Sequence, residues 1–266
     1  MLFTLSDLLD SPVYEWTCLG LGLIVGSFAN VCIHRVPFGL SVITPRSRCP
    51  HCNAGIRAWH NVPILGYLWL LGRCATCRAP IGVRYPAVEI ANGLGWLAVA
   101  EVMGPTPRAF LAMPYFTALL VLAVIDFDHQ LLPDVITIPG TLISLLASFL
   151  PGFPGPLPAL LAAVAGYCGM AAVGEGWRLL RGQSGFGQGD WKMTAMLGAF
   201  LGWQAMLMTV FLATLAGTLV GVPLILFRGH SFQHKLPLGT FLGAAGIVMV
   251  LYGDALLAWY RGLMQV

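Results

Sequence analysis

The sequence predicts an all-α protein that crosses a membrane about eight times and carries a small metal-stapled domain between its first two spans. Three observations lead to this fold class. Of the 266 residues, 58% are hydrophobic and only 9% are charged, whereas a soluble domain carries roughly a quarter charged residues. The apolar residues form long runs. The long polar segment His34–Arg84 contains two Cys-x-x-Cys pairs.

The predicted spans follow from the lengths of the apolar runs, since about 20 apolar residues cross a bilayer. Six spans are single runs: Trp16–Ile33, Pro86–Met103, Arg108–Ile125, Val135–Leu150, Leu157–Gly174 and Leu238–Trp259. Met193–Phe227 is a run of 35 uncharged residues. As one helix it would measure about 52 Å, against a hydrocarbon core of about 30 Å. We therefore expect two short helices there, broken near Gly202-Trp203.

The distribution of positive charge predicts the orientation of the spans. With the N-terminus outside, 12 of the 14 Lys and Arg residues fall in cytoplasmic segments, and only Arg108 and Arg261 fall outside. This topology also places Asp126 and Asp190 at the cytoplasmic face. The first span is expected to be retained, because acidic residues such as Asp7 precede it instead of the basic start of a cleavable signal peptide.

The polar segment carries a predicted zinc site. Its ligands are two Cys-x-x-Cys pairs, 21 residues apart: Cys49, Cys52, Cys74 and Cys77. Two such pairs at this spacing are typical of a tetrahedral thiolate site for Zn²⁺. Disulfides are the alternative, but they are disfavoured in a cytoplasmic segment. A closed four-cysteine site has no open coordination position, so the metal is expected to be structural.

Two carboxylates lie at the ends of apolar runs, where an ionisable group usually has a function. Asp126 follows the run that ends at Ile125, and Asp190 follows the glycine-rich stretch Gly185–Gly189. Two carboxyls brought together share a proton, because like charges at close range do not both ionise. One can then act as general base on water and the other as general acid toward an amide. Lys192 is expected to favour the charged form of Asp190.

Other interpretations of these carboxylates stay open on the residues alone. Asp134 and Asp190 each stand where a side chain can cap a helix N-terminus. A transporter could use paired aspartates as an ion or proton site, and this alternative and hydrolysis are equally supported by the residues. A zinc-stapled membrane scaffold is a third possibility. A nucleotide-binding loop is disfavoured, because the glycines are not followed by Gly-Lys-Ser/Thr.

Taken in order, the motifs resemble those of the bacterial prepilin peptidases, bifunctional aspartic peptidases and N-methyltransferases of the inner membrane. The resemblance covers nearly the whole chain. Its motifs are Gly26–Val31, His34–Pro37, Ser47–Cys52, Asn61–Pro63, Gly72–Cys77, Arg84–Glu89, Asp126–Asp134, Gly187–Lys192, Gly198–Trp203 and Lys235–Leu242.

The resemblance implies a function and the residues that perform it. The catalytic pair falls on Asp126 and Asp190, supported by a loop with Gly187, Gly189 and Lys192, and the metal ligands fall on the four cysteines. The implied reaction is cleavage of the leader of type IV prepilins or type II secretion pseudopilins, after a Gly, at the cytoplasmic face. The new N-terminal residue is then methylated, with S-adenosylmethionine as donor.

Candidate groups for binding the methyl donor come from polarity and position near the first loop. They are Asn30, Arg35, Gly72, Arg84 and Glu89. For the two arginines, anchoring of helix ends at anionic headgroups is an equal alternative. No Rossmann-type motif is present in the sequence, so the transferase rests on the resemblance, and a peptidase without it stays an alternative.

The expected domains are a first transmembrane helix at 1–33, a cytoplasmic four-cysteine zinc domain at 34–85 and a seven-helix membrane peptidase domain at 86–266. The expected partners are the lipid bilayer and prepilin or pseudopilin substrates, with no nucleic acid, and the oligomeric state is not fixed by the sequence. Two positions depart from the family pattern: Ser184, where many relatives have an acidic residue, and Thr240, where many have Pro.

Overall fold

The computed structural model describes residues 12–182, 187–228 and 237–264. The chain divides into two compact units, an N-terminal unit (Met1–Thr117) and a C-terminal unit (Ala118–Val266). Within the described ranges the regular structure is helical, and extended pairing is limited to isolated bridges. The predicted all-α class is therefore confirmed.

The described ranges contain nine α-helices. Those of the N-terminal unit are α1 (Pro12–Arg35), α2 (Leu65–Trp69), α3 (Arg84–Met103) and the first half of α4 (Pro107–His129). The C-terminal unit holds the second half of α4, then α5 (Asp134–Ala147), α6 (Pro156–Arg181), α7 (Gln188–Leu201), α8 (Trp203–Arg228) and α9 (Leu238–Leu263).

Five of the described helices, α1, α4, α6, α8 and α9, are long and apolar enough to cross a membrane. The protein is thus a polytopic membrane protein. Helices α5 and α7 have 14 residues each, fewer than the roughly 17 that a full crossing requires. The total of eight spans stays a prediction.

The break in the long uncharged run lies where the sequence predicts it. Helix α7 ends at Leu201 and α8 begins at Trp203. Gly202 between them has φ +81°, a left-handed conformation that glycine adopts without the steric cost of a Cβ. The run therefore forms two helices, as its excessive length requires.

In the N-terminal unit, α1 packs along α3 through small residues. A Cβ on Gly26 would lie 2.9 Å from the Cα of Glu89, so the two backbones approach each other closely, as is typical of small residues in membrane helices. Polar side chains add specific contacts. The Asn92 amide donates to Gly22 O at 2.7 Å, and the Asn30 amide donates to Tyr85 O at 2.9 Å.

In the C-terminal unit, α7 forms the centre. It contacts α5, α6, α8 and α9, and its side chains are buried without interruption from Met193 to Phe200. Such burial on every face needs a helix that is apolar all round. Asp190 stands at the start of this helix, and its position is therefore fixed by the packing of four neighbours.

Candidate active site and metal centre

Asp126 lies in the last turn of α4, which continues four residues beyond the predicted end of the span, Ile125, to His129. Its side chain is 5% exposed. Its Oδ2 accepts a hydrogen bond from the Thr240 N–H at 2.7 Å, and Thr240 Oγ1 lies 3.3 Å from the same oxygen. Because Thr240 is in the first turn of α9, Asp126 joins the end of one helix to the start of another.

Asp190 lies in the first turn of α7 and is 9% exposed. Its Oδ2 accepts a hydrogen bond from the Gly187 N–H at 2.9 Å, and its own N–H donates to Gly187 O at 3.0 Å. The capping role considered for Asp190 is thus present. Burial raises the pKa of this carboxyl to about 6, against the lowering effect of the Gly187 hydrogen bond, and the charge of Asp126 raises it further. The two carboxyls are therefore close enough to interact.

Leu132 packs against the backbone beside both aspartates. A Cβ on Gly189 would lie 2.8 Å from Leu132 Cβ, and one on Gly239 would lie 2.8 Å from Leu132 Cδ1. Each glycine is the direct neighbour of a residue in the site, Asp190 or Thr240. Leu132 thus fills the space between the two chain segments, and larger residues at 189 or 239 would displace it.

The Lys192 ammonium ion-pairs with Asp134, not with Asp190 as expected. Its Nζ donates to Oδ1 and Oδ2 of Asp134 at 2.7 and 2.8 Å. Asp134 is the first residue of α5, and the N-cap position expected for it is occupied by Pro133. The pair therefore links the N-terminal turns of α5 and α7.

The four cysteines of the two Cys-x-x-Cys pairs, called knuckles below, come together as predicted. Their Sγ atoms all lie within 4.8 Å of one another, and the distances for Cys49–Cys77 and Cys52–Cys74 are 3.8 and 4.0 Å. Four sulfurs around a tetrahedral Zn²⁺ at about 2.3 Å stand about 3.8 Å apart. All four are free thiols. The cluster fits a structural zinc ion.

The two knuckles have the same backbone turn. In each pair, the N–H of the first cysteine donates to the carbonyl oxygen of the residue five positions later. Cys49 donates to Ala54 O and Cys74 to Ala79 O, both at 2.9 Å. In each turn the residue after the second cysteine, Asn53 or Arg78, has φ near +60°. Equivalent turns present equivalent sulfurs, which supports one shared metal.

A cavity of about 240 Å³ opens beside the cluster in the N-terminal unit. Of the candidate donor-binding residues, Asn30, Arg35 and Glu89 line it, and Gly72 and Arg84 are not among its lining residues. Glu89 is buried, and its Oε2 accepts a hydrogen bond from the Ile64 N–H at 2.8 Å. The Arg35 guanidinium donates to two loop carbonyls, Ser41 O and Pro45 O. Arg35 therefore also has a structural role.

Some expectations fall outside the described residues. Gly185 and Ser184 precede the described start of the second aspartate motif, and Lys235 precedes Pro237. Conversely, sequence reasoning gave Thr240 no place in the site. Its signals were its position just after Gly239, at the start of the last apolar run, and its departure from the Pro that many relatives have there.

Comparisons with known proteins agree with this organisation. The bacterial peptidase A24 N-terminal domain model matches residues 21–103, and the type IV leader peptidase family model matches residues 113–222. No solved structure matches the chain significantly.

Relatives named prepilin leader peptidase/N-methyltransferase match nearly the full length. One from Pseudomonas putida is 40% identical over 261 residues, and one from Aeromonas hydrophila is 39% identical over 262 residues. In both cases 90% of each chain is covered. These matches favour an enzyme over the transporter alternative, and the chain belongs to the type IV leader peptidase family.

Proposed function

We propose that the protein cleaves the leader peptide of prepilins or pseudopilins after a Gly and N-methylates the residue that cleavage exposes. The observation that carries the peptidase proposal is the pair of buried, interacting carboxyls, Asp126 and Asp190. The relatives named prepilin leader peptidase/N-methyltransferase support both activities.

The pair can perform amide hydrolysis as general base and general acid. One carboxylate removes a proton from water, whose oxygen attacks the carbonyl carbon of the scissile amide. The other carboxyl protonates the carbonyl oxygen. Burial of both groups excludes bulk water and strengthens their interaction with the charges that develop. Gly187 has no side chain beside Asp190, which leaves space there for an extended substrate backbone.

We further propose that the four cysteines bind a structural Zn²⁺. The chain from Ser47 to Ile81 has few buried apolar side chains in the described structure, so metal binding supplies folding free energy there. The pairing of two similar knuckles brings together the loops that surround the cavity. Cys49 and Cys74 line this cavity themselves, so loss of zinc is expected to open it.

S-adenosylmethionine supplies an electrophilic methyl group when bound, and we propose the cavity of the N-terminal unit as its site. Asn30 and Glu89 present a buried amide and a buried carboxylate at its wall. A carboxylate is a suitable acceptor for ribose hydroxyls, as in dinucleotide sites. Glu89 also holds Ile64, whose φ of +60° is unusual for a β-branched residue. Strained residues of this kind cluster at functional sites.

The location we propose is the bacterial inner membrane, with a periplasmic N-terminus and both aspartates at the cytoplasmic face. The charge asymmetry of the sequence supports this orientation. A prepilin whose apolar helix lies in the bilayer would present its scissile bond at the same edge.

The test is incubation of the purified protein with a prepilin-like substrate and S-adenosylmethionine, followed by mass spectrometry. Wild type is expected to remove the leader and add one methyl group. Asp126→Asn and Asp190→Asn are each expected to slow cleavage by at least about 10²-fold, the usual contribution of a general acid or base.

Asp128→Asn is the matched control, because Asp128 is an exposed carboxylate two residues from Asp126 on the same helix. It should cleave at the wild-type rate. Intact substrate with folded wild type, or full cleavage by both Asn variants, would contradict the peptidase proposal.

A further inference from the structure

The two carboxyls of the pair have different hydrogen-bond environments. Oδ2 of Asp126 accepts the Thr240 N–H at 2.7 Å and faces the Thr240 hydroxyl at 3.3 Å. In the described part of the chain, the hydrogen bond to Oδ2 of Asp190 comes from the Gly187 N–H. More donors stabilise the ionised form of a carboxyl, so this difference separates the two groups.

The position of Asp126 strengthens this difference. Its carboxylate lies against the first turn of α9, where Gly239 and Thr240 present backbone N–H groups that have no partner within the helix. A Cβ on Gly239 would lie 2.8 Å from Asp126 Cγ, so the carboxylate sits directly on the backbone. The N-terminus of a 26-residue helix also carries a partial positive charge that favours an anion.

Lys192, the charged residue nearest to Asp190 in sequence, does not offset the difference between the two carboxyls. Its ammonium is held by both oxygens of Asp134, whose negative charge compensates its positive charge. The ionised form of Asp190 therefore gains no salt bridge from this lysine.

We propose that Thr240 is a positioning residue that keeps Asp126 ionised as the general base and so leaves Asp190 protonated as the general acid. This assignment rests on the proposed peptidase function and adds to it the division of roles within the pair. It also identifies the oxygens: Oδ2 of Asp126 is occupied by donors, so Oδ1 accepts the proton from water.

The Thr240 hydroxyl can follow the proton through the reaction. It has one hydrogen and two acceptors within reach, Asp126 Oδ2 at 3.3 Å and Ala123 O at 3.0 Å. While Asp126 is ionised, the hydroxyl donates to Oδ2. Once Asp126 is protonated, rotation about the C–O bond lets the hydroxyl donate to Ala123 O instead. No heavy atom needs to move.

The protons balance over the cycle. In the first step, water gives a proton to Asp126 Oδ1 and its oxygen bonds to the carbonyl carbon, while Asp190 protonates the carbonyl oxygen. In the second step, the intermediate returns a hydroxyl proton to Asp190 and the proton on Asp126 passes to the amide nitrogen. The C–N bond then breaks. The enzyme returns to ionised Asp126 and protonated Asp190.

The test uses two variants of the full-length protein. Thr240→Val removes the hydroxyl and keeps the shape and the N–H. Thr240→Ser keeps both donors. We expect kcat for cleavage to fall about 10-fold in Thr240→Val, with KM unchanged, as expected for a hydrogen bond to a charged group. Thr240→Ser should stay within about twofold of wild type.

The pH profile separates positioning from mere packing. In Thr240→Val the acid limb of the kcat profile is expected to move to higher pH, because the carboxylate that must be ionised has lost a donor. The other titratable groups near the pair, Asp128, His129, Asp134 and Lys192, are unchanged in this variant. An unaltered kcat and an unaltered pH profile in Thr240→Val would overturn the assignment.

Two further results keep the outcomes distinct. Methylation of an already cleaved peptide should stay at the wild-type rate in every Thr240 variant, which shows that the protein is folded. Failure of wild type to cleave a prepilin would remove the proposed function itself. Cleavage that needs both aspartates but ignores Thr240 would remove only the present assignment.

Discussion

At the scale of single residues, burial keeps the Asp190 carboxyl protonated up to a higher pH than is usual for an aspartate. An exposed aspartate loses its proton near pH 4. The pKa of Asp190 is raised to about 6, chiefly by burial. The Asp190 carboxyl therefore holds a proton at pH values where an ordinary exposed aspartate is already ionised. A general acid needs this property.

This protonation predicts the pH dependence of cleavage. Asp190 must be protonated to act as general acid, so a rise in pH through about 6 should remove the active form of the free enzyme. The basic limb of the kcat/KM profile, which reports the free enzyme, is expected to have its midpoint near that pH. Measurement uses a fluorogenic prepilin-like peptide in detergent micelles, with Asp128→Asn as control. A flat profile across that range would exclude Asp190 as the acid.

The residues of the site were predictable only where local pattern marks them. Asp126 follows one apolar run and Asp190 precedes another, and the four cysteines have the spacing of ligands to Zn²⁺. The partners of these residues carry no such mark. Thr240 is 114 positions from Asp126, and Lys192 is 58 positions from Asp134. Which distant residues meet is decided by how helices pack, and helix periodicity in one segment does not contain that information.

At the scale of elements, the placement of Asp190 depends on the close approach of α6 and α7. A Cβ on Gly198 of α7 would lie 2.5 Å from the carbonyl oxygen of Ala162 on α6. That oxygen belongs to a helix backbone and cannot move alone. Gly169 of α6, in contrast, has open space around its Cα. A substitution at Gly198 therefore tests helix packing, whereas the same substitution at Gly169 tests helix propensity alone.

Alanine substitutions at these glycines should have opposite effects. Gly198→Ala is expected to reduce stability by about 1–3 kcal/mol, the usual range for overpacking. Gly169→Ala is expected to leave stability unchanged or raise it by about 0.5–1 kcal/mol, since alanine favours a helix. Thermal unfolding in micelles, with cleavage measured on the same samples, tests both. Equal melting temperatures for the two variants would contradict the close packing of α6 and α7.

The elements themselves were largely readable from the sequence. The break at Gly202 follows from a length limit, because a run of 35 uncharged residues is too long for one span. The predicted span ends at Ile125, but α4 continues to His129. Its backbone hydrogen bonding extends past the apolar run, and the Gln130 N–H donates to Asp126 O at 2.9 Å. Hydropathy marks where the membrane ends, and the helix need not end there.

At the scale of the whole molecule, the two compact units contain different groups. The cysteine cluster and its cavity are formed by residues of the N-terminal unit, and the aspartates with their hydrogen-bond partners belong to the C-terminal unit. The division into domains at 33 and 85 stays a prediction. If zinc orders only the first set of groups, the two proposed activities should depend on it unequally.

Removal of zinc is expected to abolish methylation before cleavage. A strong chelator, or Cys49→Ser with Cys52→Ser, should eliminate bound zinc and methyl transfer to an already cleaved peptide, because the cavity walls lose their metal-held loops. Leader removal should persist at roughly a third or more of the wild-type rate (an order-of-magnitude expectation from the separation of the units). The metal is quantified by mass spectrometry. Parallel loss of both activities would show that the metal supports the aspartates as well.

The buried position of α7 has a consequence for the lipids around the protein. A helix exposed to acyl chains must match the thickness of the bilayer, and mismatch tilts or distorts it. Residues Met193–Phe200 of α7 are enclosed by other helices of the C-terminal unit. The acyl chains therefore contact those surrounding helices and not this part of α7. The helix that carries Asp190 can therefore be shorter than the membrane is thick. Its geometry is expected to vary little between thin and thick bilayers, and between the lipid compositions that produce them.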